Sequence, residues 1–283
     1  MMDRIPQLRF ANFAERQQAP GPLLDARWAF GEQMPHTLGG EAWLGFCPLC
    51  RKPTTFAVPS VAAGHAPNLR EELHCASCGT NSRCRAALLL ADEAMGGKDA
   101  RVYITEMASP TFVLVQRRHA DVIGSEYEPD AGKRRRLTQY LRDLGGQGEV
   151  RFEDVTALKL ETGSRDVVVS FDVLEHVPDY RQALREFARV LAPGGALVLT
   201  APFVADRAET LVRARLTADG IEHLEPEEIH GDPLSGGVLC FYHFGWDLLD
   251  AAREAGFSTA EMVLPWAPAY GLFSNLWTLV ARR

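Results

Sequence analysis

The alternation of apolar and polar positions across residues 166–203 predicts a strand, a helix and a second strand. Residues 167–171 form a short apolar run rich in β-branched side chains, which is typical of a strand buried on both faces of a parallel sheet. Asp179 precedes a helical pattern and has Gln182 three residues later, as expected of an N-cap. Residues 196–201 resume an apolar strand, and a right-handed crossover lays it beside the first. The segment therefore predicts one α/β crossover unit.

The same periodicities predict further elements on both sides of this unit. Strands are expected at residues 101–105, 120–124, 150–154, 259–264 and 276–281. Helices are expected at residues 82–95, 110–118 and 131–144, and one more is expected to begin at Gly245 or Trp246.

Residues 204–243 separate the second strand of the crossover from the next helix, which is too long for a simple connector. Connections longer than about 12–15 residues commonly act as lids or binding elements. A short helix is predicted at residues 209–216, and the whole segment is predicted to cover a substrate.

Composition and charge limit the class of protein. The chain has 283 residues, 46% of them hydrophobic, which is enough for one large domain and a smaller one. Residues 1–97 carry 9 basic and 9 acidic residues, whereas residues 98–283 carry 21 and 28, so the formal net charge is -7. An acidic chain lacks the electrostatic footprint of a nucleic-acid-binding protein. We expect no membrane span and a cytoplasmic location, because no long apolar run or secretory signal is present.

Four of the six cysteines form two pairs with metal-ligand spacing. Cys47 and Cys50 form one CxxC turn, and Cys75 and Cys78 form the other after 24 intervening residues. Two such turns can present four thiolates to one ion, and a closed four-cysteine shell contributes folding energy rather than Lewis-acid chemistry. We predict a structural zinc site in residues 1–97. Iron and a redox dithiol are the alternatives, and Cys84, His65 and His74 are near enough in sequence to replace one cysteine.

The strings FDVLEHVPD and RVLAPGGALVLTAPF resemble the fourth and fifth strands of class I S-adenosylmethionine-dependent methyltransferases. The resemblance covers roughly residues 98–283. It implies an α/β fold with a Rossmann-like sheet of seven strands, mostly parallel with the last strand antiparallel. The predicted organisation is a zinc-ribbon-like module in residues 1–97 and a methyltransferase domain in residues 98–283, with a lid at about 204–243.

Carboxylates at the strand ends are the predicted cofactor ligands. Glu106 and Glu126 close the first two strands 20 residues apart, a spacing at which nucleotide-binding folds place an acid on ribose hydroxyls. The resemblance implies that Glu126 binds the ribose of S-adenosylmethionine and that Glu106 lies near its amino-acid end. It also assigns Asp154 and Val155 to the adenine. Asp172 is expected to contact the amino group of the cofactor or to hold its own loop.

The turn after Glu106 departs from the family pattern. The family has a glycine-rich ExGxGxG turn, whereas this chain has Glu-Met-Ala-Ser-Pro-Thr at residues 106–111. Glycine lets a ligand approach the backbone closely, so Ala108 and Pro110 are expected to narrow the site for the methionine portion. Ala108 is nevertheless small, and Pro110 suits the first turn of a helix. We therefore predict that the turn, including Ala108, still contacts the cofactor.

Histidines supply the candidate chemistry. Methyl transfer needs alignment of acceptor, methyl carbon and sulfur, and a base if the acceptor must lose a proton. His176 follows the fourth strand directly and is predicted to be that base or, alternatively, to brace the turn through the backbone. His223 and His230 in the lid are further catalytic candidates. With His243, Glu227, Glu228 and Asp232 they form a polar set that suits a sugar, a carboxylate or a second metal.

The leading hypothesis is S-adenosylmethionine-dependent methylation of a small polar acceptor, with oxygen of a sugar or secondary-metabolite intermediate as the methylated atom. The expected partner is thus a small molecule, neither nucleic acid nor membrane. A zinc-module methyltransferase of ribosomal or transfer RNA is one alternative, which the neutral charge of residues 1–97 disfavours. A non-catalytic binding protein on the methyltransferase fold is the other, suggested by the altered turn.

Overall fold

A computed structural model describes residues 5–61, 67–96, 98–231, 237–273 and 275–283. His65 and Asp232, which the sequence offered as candidate ligands, lie outside the described residues. No helix among the described residues is long and apolar enough to span a membrane.

The first part of the chain contributes one edge strand and the cysteine module. It contains β1 (Gln7–Phe10), α1 (Phe13–Gln17), α2 (Gly21–Leu38), β2 (Trp43–Cys47), β3 (Lys52–Ala57), α3 (Leu69–Glu72), β4 (His74–Cys75) and α4 (Ser82–Met95). Strands β2, β3 and β4 form a small antiparallel sheet around the cysteine pairs. The predicted helix at residues 82–95 is confirmed as α4.

The second part alternates strands and helices, as the periodicity predicted. It contains β5 (Arg101–Ile104), α5 (Pro110–Gln116), β6 (Asp121–Gly124), α6 (Ala131–Asp143), β7 (Arg165–Phe171), α7 (Tyr180–Val190) and β8 (Leu191–Thr200). Asp179 caps α7, because its carboxylate accepts a hydrogen bond from the Gln182 amide at 3.0 Å. The predicted crossover unit is therefore confirmed.

The third part holds six short strands and then completes the sheet. It contains β9 (Leu211–Val212), β10 (Ala214–Thr217), β11 (Gly220–His223), β12 (Ile229–His230), β13 (Val238–Leu239), β14 (Tyr242–His243), α8 (Asp247–Glu254), β15 (Thr259–Pro265) and β16 (Thr278–Arg282). The six short strands pair as β10 with β11, β12 with β13, and β14 with β9.

A seven-stranded sheet in the order β1-β15-β16-β8-β7-β5-β6 forms the centre of the molecule. Strands β6, β5, β7 and β8 are parallel, and β16 lies antiparallel between β8 and β15. This arrangement confirms the predicted Rossmann-like methyltransferase sheet. The parallel strands end along one edge, where the loops that follow β5, β6 and β7 meet.

Two sequence predictions of single elements are wrong. Residues 150–154 form no strand, because Asp154 accepts the Thr156 amide at 2.8 Å and turns the chain after one bridge between Glu126 and Phe152. β1 supplies the seventh strand instead, antiparallel to β15. Residues 209–216 form β9 and part of β10 rather than a helix, because β9 pairs with the distant β14 and β10 forms a hairpin with β11.

Side chains alternate between the two faces of the sheet, and each face has its own core. Val167 and Val169 face α4 and the cysteine module, while Val168 faces α7 and α8. Cys47 and Cys75 belong to the same core as the first of these faces. The predicted division at residue 97 stays a prediction, and the cysteine module is packed directly on the sheet through α4.

Arg85 of α4 joins the cysteine module to the C-terminal part of the chain. It is fully buried, and its guanidinium donates to the carbonyls of Thr80 at 2.7 Å, Gly271 at 2.8 Å and Tyr270 at 2.9 Å. The same group lies over the Phe56 ring, 4.4 Å from its centroid. Gly271 has φ +66, and a Cβ there would lie 2.7 Å from the guanidinium, so this close approach requires glycine.

We predict that Arg85→Met lowers the free energy of unfolding by about 3 kcal/mol, because the buried guanidinium and its hydrogen bonds are lost while the apolar volume is kept. The Tyr270 carbonyl loses its donor, and the Thr80 and Gly271 carbonyls keep only the Cys75 amide and the Ser82 hydroxyl. Urea unfolding measures the change. Arg185→Met is the matched control, since Arg185 is exposed on α7 and bonds only to Gln182 within its own helix. Equal effects of the two substitutions would contradict this role of Arg85.

Candidate active site

A cavity of about 750 Å³ opens at the edge where the parallel strands end. Its wall combines the cysteine module, the turn after β7 and the 204–243 segment. Residues that represent these three parts are Arg70, Arg83, Asp172, His176, Phe203 and His230. The predicted lid segment thus does border a cavity, next to the loop in which Asp172 and His176 were predicted to act.

Asp172 is clamped by two arginines from the cysteine-module side. It follows β7 with φ +46, a left-handed conformation that aspartate tolerates better than most residues. Arg70 donates two hydrogen bonds of 2.9 Å to its carboxylate, and Arg83 lies 3.3 Å from it. Burial by itself raises the pKa of Asp172, but Arg83 and Arg70 outweigh burial and lower the pKa to about 2. Asp172 is therefore an anion that holds the loop.

Arg83 also bonds to Glu71, at 2.8 Å from Nε to the carboxylate, so it bridges two acids in the cavity wall. Sequence reasoning missed Arg70, Glu71 and Arg83. Arg70 and Asp172 are 102 positions apart, and no local pattern marks such a contact.

Glu106 lies at the end of β5, as predicted, in an environment that disfavours its charge. Burial raises the pKa of Glu106 to about 7, against the opposing effects of the Ser109 hydroxyl and Arg83. Ser109 donates its hydroxyl hydrogen to Glu106 and accepts the Phe112 amide at 3.0 Å as the N-cap of α5. The carboxylate and the helix start are thereby fixed to each other.

Glu126 holds the turn that replaces the glycine-rich sequence. Its Oε1 accepts the amides of Met107 and Ala108, both at 2.7 Å. Gly124, two residues earlier, allows this proximity, because a Cβ there would lie 2.7 Å from the Glu106 carbonyl oxygen. The structure thus places Glu126 at the edge where the parallel strands end. Its hydrogen bonds to the turn are a role that the sequence did not indicate.

Asp154 and Val155 lie beyond this turn, in the segment that follows the Glu126 bridge. Asp154 accepts both the amide of Thr156 at 2.8 Å and its hydroxyl at 2.7 Å. Val155 is half-buried and packs against the core of the α7 face. The chemistry of this edge suits S-adenosylmethionine, because carboxylates accept from hydroxyl and amino groups and Glu106 and Asp172 adjoin the arginines of the cavity.

His176 bonds to the backbone of the lid segment. Its Nδ1–H donates to the Leu239 carbonyl at 2.8 Å, which leaves Nε2 as the acceptor nitrogen, 3.7 Å from Glu175. The contact with the backbone that was expected as an alternative is therefore present. It leaves Nε2 free of that contact. The catalytic role of His176 stays a prediction.

The lid histidines occupy different environments. His230 lines the cavity edge-on to His176, with ring centroids 5.0 Å apart, whereas His223 is exposed at the end of β11. His230 and His243 both bond to Glu228 through Nε2 at 2.9 Å. Contacts with Cys240 and Glu175 raise the pKa of His230 to about 11, so without another cation it carries a proton. The catalytic assignments of His223 and His230 stay predictions.

The four predicted zinc ligands converge. One ligand atom from each of Cys47, Cys50, Cys75 and Cys78 lies within 4.8 Å of the others, with 3.9 Å between the first and last sulfurs. A tetrahedron of sulfurs about 2.3 Å from zinc has edges of about 3.8 Å, so the spacing fits. Cys84 is buried in α4 outside this set. The His74 ring nitrogen lies 3.0 Å from the Gly79 carbonyl oxygen, within hydrogen-bonding distance.

Comparison with known proteins gives partial matches. Residues 108–199 match the family model described as "Methyltransferase domain". A probable S-adenosylmethionine-dependent methyltransferase of Mycolicibacterium smegmatis is 41% identical over 81 residues, 29% of this chain and 29% of that protein. A ubiquinone biosynthesis O-methyltransferase of Xanthomonas oryzae is 38% identical over 85 residues, 30% of this chain and 35% of that protein. The first matches span between 16% and 35% of the length of the curated relatives.

Among solved structures, the chain is similar to CalS10 of Micromonospora echinaspora, described as an amino pentose methyltransferase. The TM-score is 0.48 at 17% identity, over 72% of this chain and 92% of that one.

The family match begins at Ala108 in the turn after β5 and ends within β8. It includes the crossover unit whose sequence resembled the fourth and fifth strands of the family, and that recognition is confirmed. The chain therefore contains a methyltransferase domain, which the family model matches over residues 108–199.

Proposed function

We propose that the protein transfers the methyl group of S-adenosylmethionine to an oxygen of a small polar molecule bound in the cavity. The observation that carries the proposal is the position of this cavity, which adjoins Asp172 at the end of the methyltransferase-domain strand β7 and is bordered by the 204–243 segment. The similarity to a ubiquinone biosynthesis O-methyltransferase supports oxygen as the methylated atom.

S-adenosylmethionine, when bound, supplies an activated methyl group on a sulfonium. Glu126, Asp154 and Val155 would hold its nucleoside, and the turn at Ala108 would contact the methionine portion. The amino-acid end of the cofactor is a zwitterion, and the neighbouring side chains offer both charges. Glu106 and Asp172 are acceptors for the ammonium, while Arg83 can donate to the carboxylate.

The acceptor would occupy the cavity between Phe203, Trp277 and the histidines of the lid side. An aromatic wall with a few convergent polar groups suits a small ring that carries hydroxyl groups, such as a sugar or a secondary-metabolite intermediate. The segment before β14 excludes water from this side when the acceptor is bound. His176 Nε2 is the acceptor nitrogen for a proton released there, since its Nδ1–H is held by Leu239.

Calorimetric titration with S-adenosylmethionine, followed by transfer of a labelled methyl group to a panel of hydroxylated small molecules, tests this function. Saturable binding and label transfer are expected. No saturable binding to correctly folded, zinc-loaded protein would overturn the proposal and favour a non-catalytic binding protein.

We predict that the affinity for S-adenosylmethionine rises with pH through about 7, because the Glu106 carboxylate is largely neutral below that pKa and charged above it. Between pH 6 and pH 8 its charged fraction rises roughly tenfold. Glu106→Gln should bind more weakly and lose that part of the pH dependence.

The measurement is calorimetric titration at both pH values, with Glu161→Gln as the exposed-acid control. The ratio of wild-type to variant affinity removes the titration of the cofactor itself. A ratio that is the same at pH 6 and pH 8 would contradict the contact with Glu106.

We further propose that the four-cysteine site holds a structural zinc ion. Cys78→Ser should contain one equivalent of zinc less per chain than the wild type and should unfold at lower temperature, because the metal contributes folding energy. Cys84→Ala, which changes a buried cysteine outside the site, should keep the wild-type zinc content. Elemental analysis and thermal unfolding measure both effects, and iron in place of zinc would refute the assignment.

A further inference from the structure

Glu175 is a buried acid that the proposed methyl transfer does not use. Its side chain is fully buried, directly before His176 in the turn after β7. Neither carboxylate oxygen has a hydrogen-bond partner among the described residues. A buried carboxylate without a hydrogen bond is costly, and native structures seldom retain one without a ligand or a function.

Two histidines approach the same oxygen of Glu175 from different parts of the chain. His176 Nε2 and His230 Nδ1 each lie 3.7 Å from Glu175 Oε1. These distances are too long for hydrogen bonds. Distances of this length fit atoms that bind the same metal ion, because two ligand atoms that each lie about 2.0–2.2 Å from a metal are separated by no more than about 4.4 Å.

The outer nitrogen of each histidine is oriented as in metal sites. His176 donates from Nδ1 to the Leu239 carbonyl at 2.8 Å, and His230 bonds through Nε2 to Glu228 at 2.9 Å. Histidines that bind metals almost always donate their other N–H to a carbonyl or carboxylate, which fixes the tautomer. Glu228 is itself held by Arg213 at 3.1 Å. These bonds use the outer nitrogen of each ring, so the inner nitrogens, His176 Nε2 and His230 Nδ1, are the ones near Glu175.

We propose that Glu175, His176 and His230 bind a divalent first-row transition-metal ion at the cavity wall. Two imidazole nitrogens and one carboxylate oxygen favour Zn²⁺, Fe²⁺ or Co²⁺ over Mg²⁺ and Ca²⁺, which prefer all-oxygen sites. The metal takes the place of the proton that His230 otherwise carries. Glu228 bonds to both His230 and His243, and with Cys240 and His243 it forms a second group of possible ligands beside the first.

The site has three protein ligands, so further coordination positions remain, and both histidines line the cavity. A hydroxyl or phenol oxygen of the acceptor is the ligand that these positions suit, since a bound metal lowers the pKa of a coordinated oxygen. This use rests on the proposed function. His176 would then be a metal ligand rather than the base, and the proton of the coordinated hydroxyl would pass to solvent at the cavity mouth.

Titration with Co²⁺ tests the site without any acceptor. The protein is first loaded with zinc at the cysteines and treated with a weak chelator, and Co²⁺ binding is then followed by calorimetry and visible absorption. One Co²⁺ per chain is expected, with an absorption spectrum that lacks thiolate charge transfer. Binding of no Co²⁺, or a thiolate spectrum, would overturn the proposal.

Substitutions assign the ligands. Glu175→Gln and His230→Asn should each weaken Co²⁺ binding by at least about 100-fold, and Glu228→Ala, which removes only the outer partner, by about 10–100-fold. His223→Asn is the matched control, because His223 lies in the same segment but is exposed outside the group, and it should bind Co²⁺ like the wild type. Undiminished binding in either ligand variant would refute the site.

S-adenosylmethionine titration of the same variants separates this site from the proposed function. Retained cofactor binding and retained cysteine zinc in Glu175→Gln show that the variant is folded, so its loss of Co²⁺ reports the ligand. If the wild type binds Co²⁺ but not S-adenosylmethionine, the metal site stands and the methyl-transfer proposal fails.

Discussion

The ion pairs between Asp172 and the two arginines Arg70 and Arg83 connect the cysteine module to the edge of the sheet where the parallel strands end. They join residues about a hundred positions apart, and the partly buried charges stabilise only when all partners are present. Two residues beyond Arg83, Arg85 ties the same helix to the C-terminal segment. The cysteine module therefore forms part of the cavity wall. A metal held by the four cysteines would order the chain before α4.

Elements defined by local chemistry could be predicted from the sequence. The Asp179 cap, the apolar face of α7 and the bounds of α4 all follow from residues within a few positions of one another. Elements defined by distant pairing could not. Residues 209–216 have a composition compatible with a helix, but Leu211 and Val212 pair with the distant β14. Strand β1 reaches the sheet edge beside β15, although nothing near it in sequence indicates a partner.

The candidate site divides in the same way. Glu106, Glu126 and Asp172 could be predicted because they follow strands, and parallel strands place their ends at one edge. Arg70 and Cys240 could not, since their roles arise from contacts with Asp172 and His230 that only the fold creates. Glu175 could not be identified either. The sequence shows that an acid precedes His176, but not that its carboxylate is buried without a hydrogen bond among the described residues.

The turn without glycines changes how this edge can hold a cofactor. In a glycine-rich turn the backbone amides are available to a ligand, whereas here Glu126 already accepts those of Met107 and Ala108. The turn is therefore fixed before any ligand arrives, which lowers the entropic cost of binding. The same two amides are then less available to a cofactor. On the proposed function, recognition of the amino-acid end would depend on Glu106, Asp172 and Arg83. Because Arg83 and Arg70 belong to the cysteine-module side, we expect cofactor affinity to be coupled to the folding of that module.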